Sequence, residues 1–179
     1  DVISAQTELA AEPADTDEFM VSDAGVLKRI DYSLIKGGDN TPAFSAYKPS
    51  TQADVVSGTQ TKVTFTTEFF DTDSAYASSR FTCPVGSAGK YLITGGLSFL
   101  GTGDGNYVII FIYLNGSELW KNINRSPSTS DNGVGITGLV ELAEGDYVEI
   151  YCKQNTGSNQ DITGSSTDRT TYFGGFKLI

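Results

Sequence analysis

The side chains able to do chemistry are carboxylates, two thiols and a large stock of hydroxyls and amides. Histidine is absent from the 179 residues, which removes the commonest general base and the commonest metal ligand. Two acidic groups lie close in sequence: Glu68 with Asp71 and Asp73, and Glu141 with Glu144 and Asp146. A glycoside hydrolase needs two carboxylates facing one cleft. These fall in turns or at exposed strand ends, where carboxylates are simply solvated. No catalytic residue is assigned, and the chain reads as a non-enzyme. Cys83 and Cys152 occupy apolar-face positions of predicted strands and read as buried thiols acting as small hydrophobes. No C-x-x-C pair is present, so metal or redox chemistry has no motif.

Binding chemistry is better supplied. Three long polar connections stand out: Gly101–Asn106 (GTGDGN), Asn124–Gly133 (NRSPSTSDNG) and Asn155–Asp168 (NTGSNQDITGSSTD). They alternate with short ones at Val85–Ala88, Asn115–Ser117 and Ala143–Gly145. In a succession of antiparallel strands every second connection lies at the same end, so the three long loops are expected to crowd one apex. Long loops in a compact domain are usually functional or mobile. The candidate ligand-binding residues are Asp104, Asn106, Arg125, Asp131, Asn155, Asn159, Asp161 and Arg169. Such groups suit sugar hydroxyls or a polar protein epitope. Few aromatics lie among them, which weakens a sugar-stacking platform, and Trp120 on a strand reads as packing. Asp104, Asp131 and Asp161 could gather oxygens for Ca²⁺, but no EF-hand-like spacing exists. No metal or other cofactor is therefore assigned, Ca²⁺ being the one option left open.

The elements that must hold these loops are strands. In Arg80–Leu100 the first strand (Phe81, Cys83) ends at Pro84, which has no N–H to donate. The second puts Tyr91, Ile93, Leu97 and Phe99 on one face and Leu92, Thr94, Ser98 and Leu100 on the other. Ala43–Lys48 reads as the first strand of the larger domain, and Thr61–Thr67 alternates with Val63 and Phe65 inward. Tyr107–Leu114 is apolar on both faces. Asn115-Gly116 is the strongest hairpin signal, and Val134–Leu142, Tyr147–Lys153 and Thr171–Ile179 complete the set.

The segments FTCPVGSAGKY, LNGSELW (Leu114–Trp120), LVELAEGDYVEIY (Leu139–Tyr151) and TYFGGFKLI (Thr171–Ile179) resemble the C1q-like branch of the C1q/tumour-necrosis-factor superfamily, over about residues 42–179. The resemblance implies an all-β jelly-roll sandwich that associates as a homotrimer. It also makes the strands of Cys83 and Cys152 neighbours, so a disulfide stays open beside two free thiols. In that family the outward face of the inner sheet packs around a three-fold axis. The carry-over points to Tyr172, Phe176 and Leu178 as trimer-interface residues, with Tyr91 on an adjacent strand. The other option is that the chain's own N-terminal arm covers some of that face.

Residues 1–41 differ from the rest. Phe19–Val21 and Val26–Ile30 flank Ser22-Asp23-Ala24-Gly25, a turn sequence. Asp31 could cap a short helix over Tyr32–Lys36, closed by Gly37-Gly38. A lone hairpin with one helical turn is too small to be stable alone. The string TDEFMVSDAGVLKRIDYSLIKG resembles short modules of phage tail-fibre and related virion proteins. This implies a connector or trimerisation module (1–41) before a head domain (42–179), with virion proteins as partners of the former.

Composition narrows the rest. A formal charge of −10 disfavours nucleic-acid binding, which needs basic surface. No apolar run approaches the roughly 20 residues that span a bilayer, so membrane insertion is not expected. The chain starts at Asp1, which reads as a piece of a longer chain or a processed product. The leading expectation is a trimeric virion fibre whose head attaches to a host-surface glycan or protein. Alternatives are a capsid or tail decoration protein docking through residues 1–41, and a secreted, extracellular C1q-like adhesin.

Overall fold

The computed structural model describes residues 9–126 and 131–179. The chain divides into two units, Asp1–Asp39 and Asn40–Ile179. The smaller consists of a hairpin, β1 (Glu18–Asp23) and β2 (Val26–Asp31), followed by a 3-10 turn over Tyr32–Leu34. Ala24 and Gly25 take positive φ at the hairpin tip, as a tight two-residue turn requires. The expected helix is shorter than the sequence suggested. Asp31 is extended and makes no side-chain cap bond, and the Ile35 and Lys36 N–H groups both return to the Tyr32 carbonyl.

Among its described residues the larger unit holds thirteen strands: β3 (Ala43–Tyr47), β4 (Gln52–Val55), β5 (Thr61–Lys62), β6 (Thr67–Asp71), β7 (Tyr76–Ala77), β8 (Arg80–Thr82), β9 (Gly89–Phe99), β10 (Tyr107–Leu114), β11 (Ser117–Arg125), β12 (Asn132–Leu142), β13 (Tyr147–Gln154), β14 (Gln160–Ile162) and β15 (Tyr172–Lys177). They form two antiparallel sheets. One, the outer sheet, runs β11-β10-β13-β8-β7, with β5 beside β13. The other, the inner sheet, has β9 at its centre. β12 pairs along the whole of one β9 edge, β15 along most of the other, and β14 meets β9 at Phe99. From β15 the inner sheet continues through β3 to β6.

Side-chain alternation fills the space between the sheets. Tyr91, Ile93, Leu97 and Phe99 of β9 face Val108, Ile110 and Ile112 of β10 and Val148, Ile150 and Cys152 of β13, all buried. One half of the core is aromatic: Phe44 stacks on Phe81 at 4.6 Å and meets Phe173 edge-on at 4.8 Å. Val63 and Phe65 are buried as expected, but Thr61–Thr67 is not one strand. After Lys62 the Val63 N–H still reaches the Ile150 carbonyl, while the Phe65 N–H is taken by the Ser79 hydroxyl. Pairing resumes only at β6, on the opposite sheet.

The doubly apolar strand β10 is covered on both sides. Its outward Phe111 and Tyr113 are nearly sealed. Tyr113 stacks on Tyr151 at 4.1 Å and donates its hydroxyl to Gln60.

Candidate functional site

The short connections meet at one end. Asn115 donates its amide to the Asp146 carboxylate and accepts the Tyr147 N–H, while Gly86 N–H reaches Glu144. Hydrogen bonds from Asn115 and from the Ala143 N–H hold the Asp146 carboxyl below the usual carboxylate range. Of the carboxylates grouped in sequence, Glu144 and Asp146 are thus engaged in these turns. Asp71 likewise accepts the Tyr76 N–H.

The long connections meet at the other end. Gly101 N–H donates to Asp131 Oδ1, Leu100 N–H to the Asp161 carbonyl, and Tyr107 N–H to Asn155 Oδ1 at 2.6 Å. Ser126 and Asn106 close the same apex through backbone bonds. Several candidate ligand residues are therefore engaged in holding the loops. Asn106 donates to the Thr102 carbonyl, Asn159 to Asp54, and Asp161 Oδ1 accepts the Asp54 N–H. Part of the expected loop 124–133, residues 127–130, lies outside the described residues. The connection after Asn155 is not a free loop, because β14 within it pairs with both β4 and β9.

Among the apical residues Asp104, Arg125, Asp131, Asn159 and Arg169 are exposed, while Asn106, Asn155 and Asp161 are half-buried. Arg169 is not part of the apical cluster. Its guanidinium lies 4.8 Å over Phe69 and 5.2 Å over Tyr47, at the margin of the inner sheet. Asp104, Asp131 and Asp161 do not come together: among the described residues no group of three or more Asp, Glu or Cys is placed to hold a metal ion. The Ca²⁺ option loses its geometry.

The outward face of the inner sheet carries an apolar surface. Register fixes its members: Tyr172 pairs with Gly96, Gly174 with Thr94 and Phe176 with Leu92. Across β9, Leu92 pairs with Leu139 and Thr94 with Thr137. Tyr172 is 40% exposed, Phe70 45% and Leu139 61%, with Leu92, Phe176 and Leu178 half-buried. A groove of about 230 Å³ runs between Phe70, Leu92, Tyr172 and Phe176.

Tyr91 does not belong to this face. It is fully buried within the sandwich, packs on Phe81 at 5.6 Å and donates its hydroxyl to the Ser87 carbonyl. The reason is parity: odd-numbered residues of β9 point between the sheets, and Tyr172 and Phe176 pair with even-numbered ones. Burial, with the neighbouring Cys83 thiol, pushes its phenol up.

The edge where β11 and β12 end the two sheets also exposes apolar side chains, on both faces of β11, since Trp120 pairs with Ile112 and Ile123 with Ile109. Leu119, Trp120 and Ile123 are exposed, and Trp120 packs over Gly138 of β12. Asn122 and Asn124 donate across the gap to the Gly135 and Gly133 carbonyls, tying the sheets at this edge.

Two charged clusters escaped the sequence reading. Glu149, with a side chain 3% exposed, binds Lys62 Nζ at 2.6 Å and Arg80 Nε at 2.9 Å. Burial alone pushes its carboxyl up, but the two cations outweigh that and hold it below the ordinary value. Lys48, 4% exposed, donates to the Thr64 carbonyl and hydroxyl, and burial pushes its amine down. Cys83 and Cys152 are both free and buried.

No family model and no curated protein matches the chain in sequence. Solved structures do. The globular domain of zebrafish complement 1qA protein aligns with a TM-score of 0.56 at 19% identity, covering 78% of this chain and 98% of that one. Murine APRIL aligns with a TM-score of 0.55 at 16% identity, covering 76% and 98%. Eiger TNF from S. frugiperda gives 0.55 at 13%, covering 76% and 92%. The fold is an all-β jelly roll of the C1q/TNF type. Among the described residues no helix is long and apolar enough to cross a membrane.

Proposed function

We propose that this chain is a trimeric, non-enzymatic binding protein, the head of a virion fibre that attaches to a host-surface glycan or protein through its apical end. The observation that carries the assembly is an apolar outward sheet face on a domain whose interior is already full. Among the described residues of the larger unit, Phe70, Leu92, Leu139, Tyr172 and Phe176 have no partner layer. A single sandwich buries only one face of each sheet. Burying each such side chain is worth roughly 1.5–3 kcal/mol. Several together can exceed the association cost of about 4–15 kcal/mol, whereas one or two cannot.

Two different apolar surfaces support a ring over a two-fold pair. A two-fold dimer pairs a patch with itself, whereas a ring pairs one patch with another. Here the face of the inner sheet holds a groove, and the β11/β12 edge exposes Leu119, Trp120 and Ile123. Each copy gives its face to one neighbour and its edge to the next.

The attachment role rests on the clustering of the long loops at one end, with Asp104, Arg125, Asp131 and Asn159 exposed there. Oxygens, amides and one guanidinium match sugar hydroxyls or a polar epitope. The virion setting rests on the likeness of residues 16–37 to fibre modules. The acidic groups support a non-enzyme, because Asp71, Glu144, Asp146 and Glu149 are each tied into turns or ion pairs.

Two measurements test this. Sedimentation equilibrium at micromolar concentration should return three times the chain mass, and a stable monomer would refute the assembly. The soluble protein should compete with virion adsorption, and the double substitution Asp104→Lys, Asn159→Lys should abolish competition while leaving the trimer intact. A trimer whose adsorption is indifferent to those changes would remove the apical site.

A further inference from the structure

We infer that the N-terminal hairpin is a second, independent trimerisation element: β1 of one copy docks beside β2 of the next, closing a ring of three hairpins. The inference rests on the proposed trimer only for the high local concentration that brings the copies together.

The first ground is burial. Not one described residue of the unit up to Asp39 is buried. Met20 is 75% exposed, Leu27 69%, Val26 59% and Leu34 73%. Their density in so short a segment is unlike the scattered apolar residues of an ordinary surface. Both faces of the hairpin contribute. The register pairs Phe19 with Ile30 on one face, and on the other sets Met20 and Leu27 diagonally, through the pairs Met20 with Arg29 and Ser22 with Leu27. A two-stranded hairpin by itself is marginal at best.

The second ground is charge complementarity between its two edges. β1 carries only acidic charges, Glu18 and Asp23. β2 carries both cations, Lys28 and Arg29, with Asp31 at its end. Within one hairpin these pair as Arg29 with Glu18 and Lys28 with Asp23. An acidic strand and a basic strand are the two unlike surfaces that a head-to-tail ring needs. A β1-to-β1 contact would set like charges together. The occupant is therefore a second copy of this chain offering the other strand.

The third ground is tethering. The residues between Leu34 and Ala43 extend at most about 30 Å. Three copies joined through their heads hold their hairpins at an effective concentration in the millimolar range, enough for a small apolar contact to persist.

Hydrogen exchange on the full chain tests this. In the wild-type trimer the laddered amides within Glu18–Asp31 should exchange about 100-fold more slowly than unstructured amides. Leu27→Asp, and separately Met20→Asp, should remove at least about tenfold of that protection, with head amides and sedimented mass unchanged. A trimer whose Glu18–Asp31 amides exchange at unprotected rates overturns the inference and leaves the head assembly standing. Protection unaltered by either substitution overturns it as well. A chain that sediments as a monomer while its hairpin stays protected at every dilution overturns both readings. Protection that falls on dilution in step with the sedimented trimer supports the contact between hairpins.

Discussion

The ring of Tyr172 lies directly over Gly96, so close that a Cβ on residue 96 would overlap it. This contact sets the height of the apolar face, because Tyr172 stands on β15 and Gly96 is its partner on β9. Gly96→Ala should swing the ring toward solvent. The monomer tolerates that, since Tyr172 is already 40% exposed, and its unfolding free energy should change by less than about 1 kcal/mol. The groove it lines changes shape, however, and trimer association should weaken by about tenfold or more. Sedimentation equilibrium of the two proteins across a dilution series measures the difference.

Phe173 and Phe176 test the two faces of one strand. Phe173 is fully buried and touches Phe44, Phe65 and Tyr76. Phe173→Ala should cost about 3–5 kcal/mol and lower the denaturation midpoint at every protein concentration. Phe176 faces outward, half-buried. A trimer's midpoint rises with protein concentration. Phe176→Ala should flatten that dependence while leaving the dilute-limit midpoint within about 1 kcal/mol of wild type. Urea melts at three concentrations separate the outcomes.

The cysteines should be chemically silent in the folded protein. Burial pushes the Cys152 thiol up to about 12, and Cys83 is 2% exposed. Only the thiolate reacts, so a soluble disulfide reagent at pH 8 should label neither until denaturant is added, and then both. Reductant should leave the melting temperature unchanged, because both thiols are free. Labelling of either thiol in the native state would contradict their burial.

What the sequence disclosed was set by period and turn chemistry. The alternation in β9 and the Asn115-Gly116 turn are local signals, and the structure follows them. Tyr91 shows where local reading stops. Its parity sets it with Ile93, but excluding it from the outward face required knowing which β9 residues oppose Tyr172 and Phe176, a register made only in three dimensions. β14 stayed hidden because backbone bonds with β4 make the pair, and its polar side chains read as loop. Glu149 sat in an alternating run with nothing to mark it, since its cations arrive from residues 62 and 80.

Glu149 is also where stability should depend on acidity. With its side chain 3% exposed between Lys62 and Arg80, burial raises its carboxyl pKa and the two cations lower it further than burial raises it. The folded value therefore lies below the ordinary one near 4.5. A carboxyl depressed in the folded state binds fewer protons there than in the unfolded chain. Its contribution is complete above the unfolded pKa and is lost as pH falls through the folded one. Glu149→Gln removes the charge and leaves two cations facing a neutral amide. At pH 7 it should cost about 1–3 kcal/mol, as for a hydrogen bond to a charged group. The gap between wild type and variant should persist down to about pH 5 and then close as the pH drops below the ordinary carboxyl value. Urea titrations of both proteins at pH 7, 5, 4 and 3 give the comparison. A gap that stays constant to pH 3 would mean that packing, rather than the ion pairs, accounts for the loss.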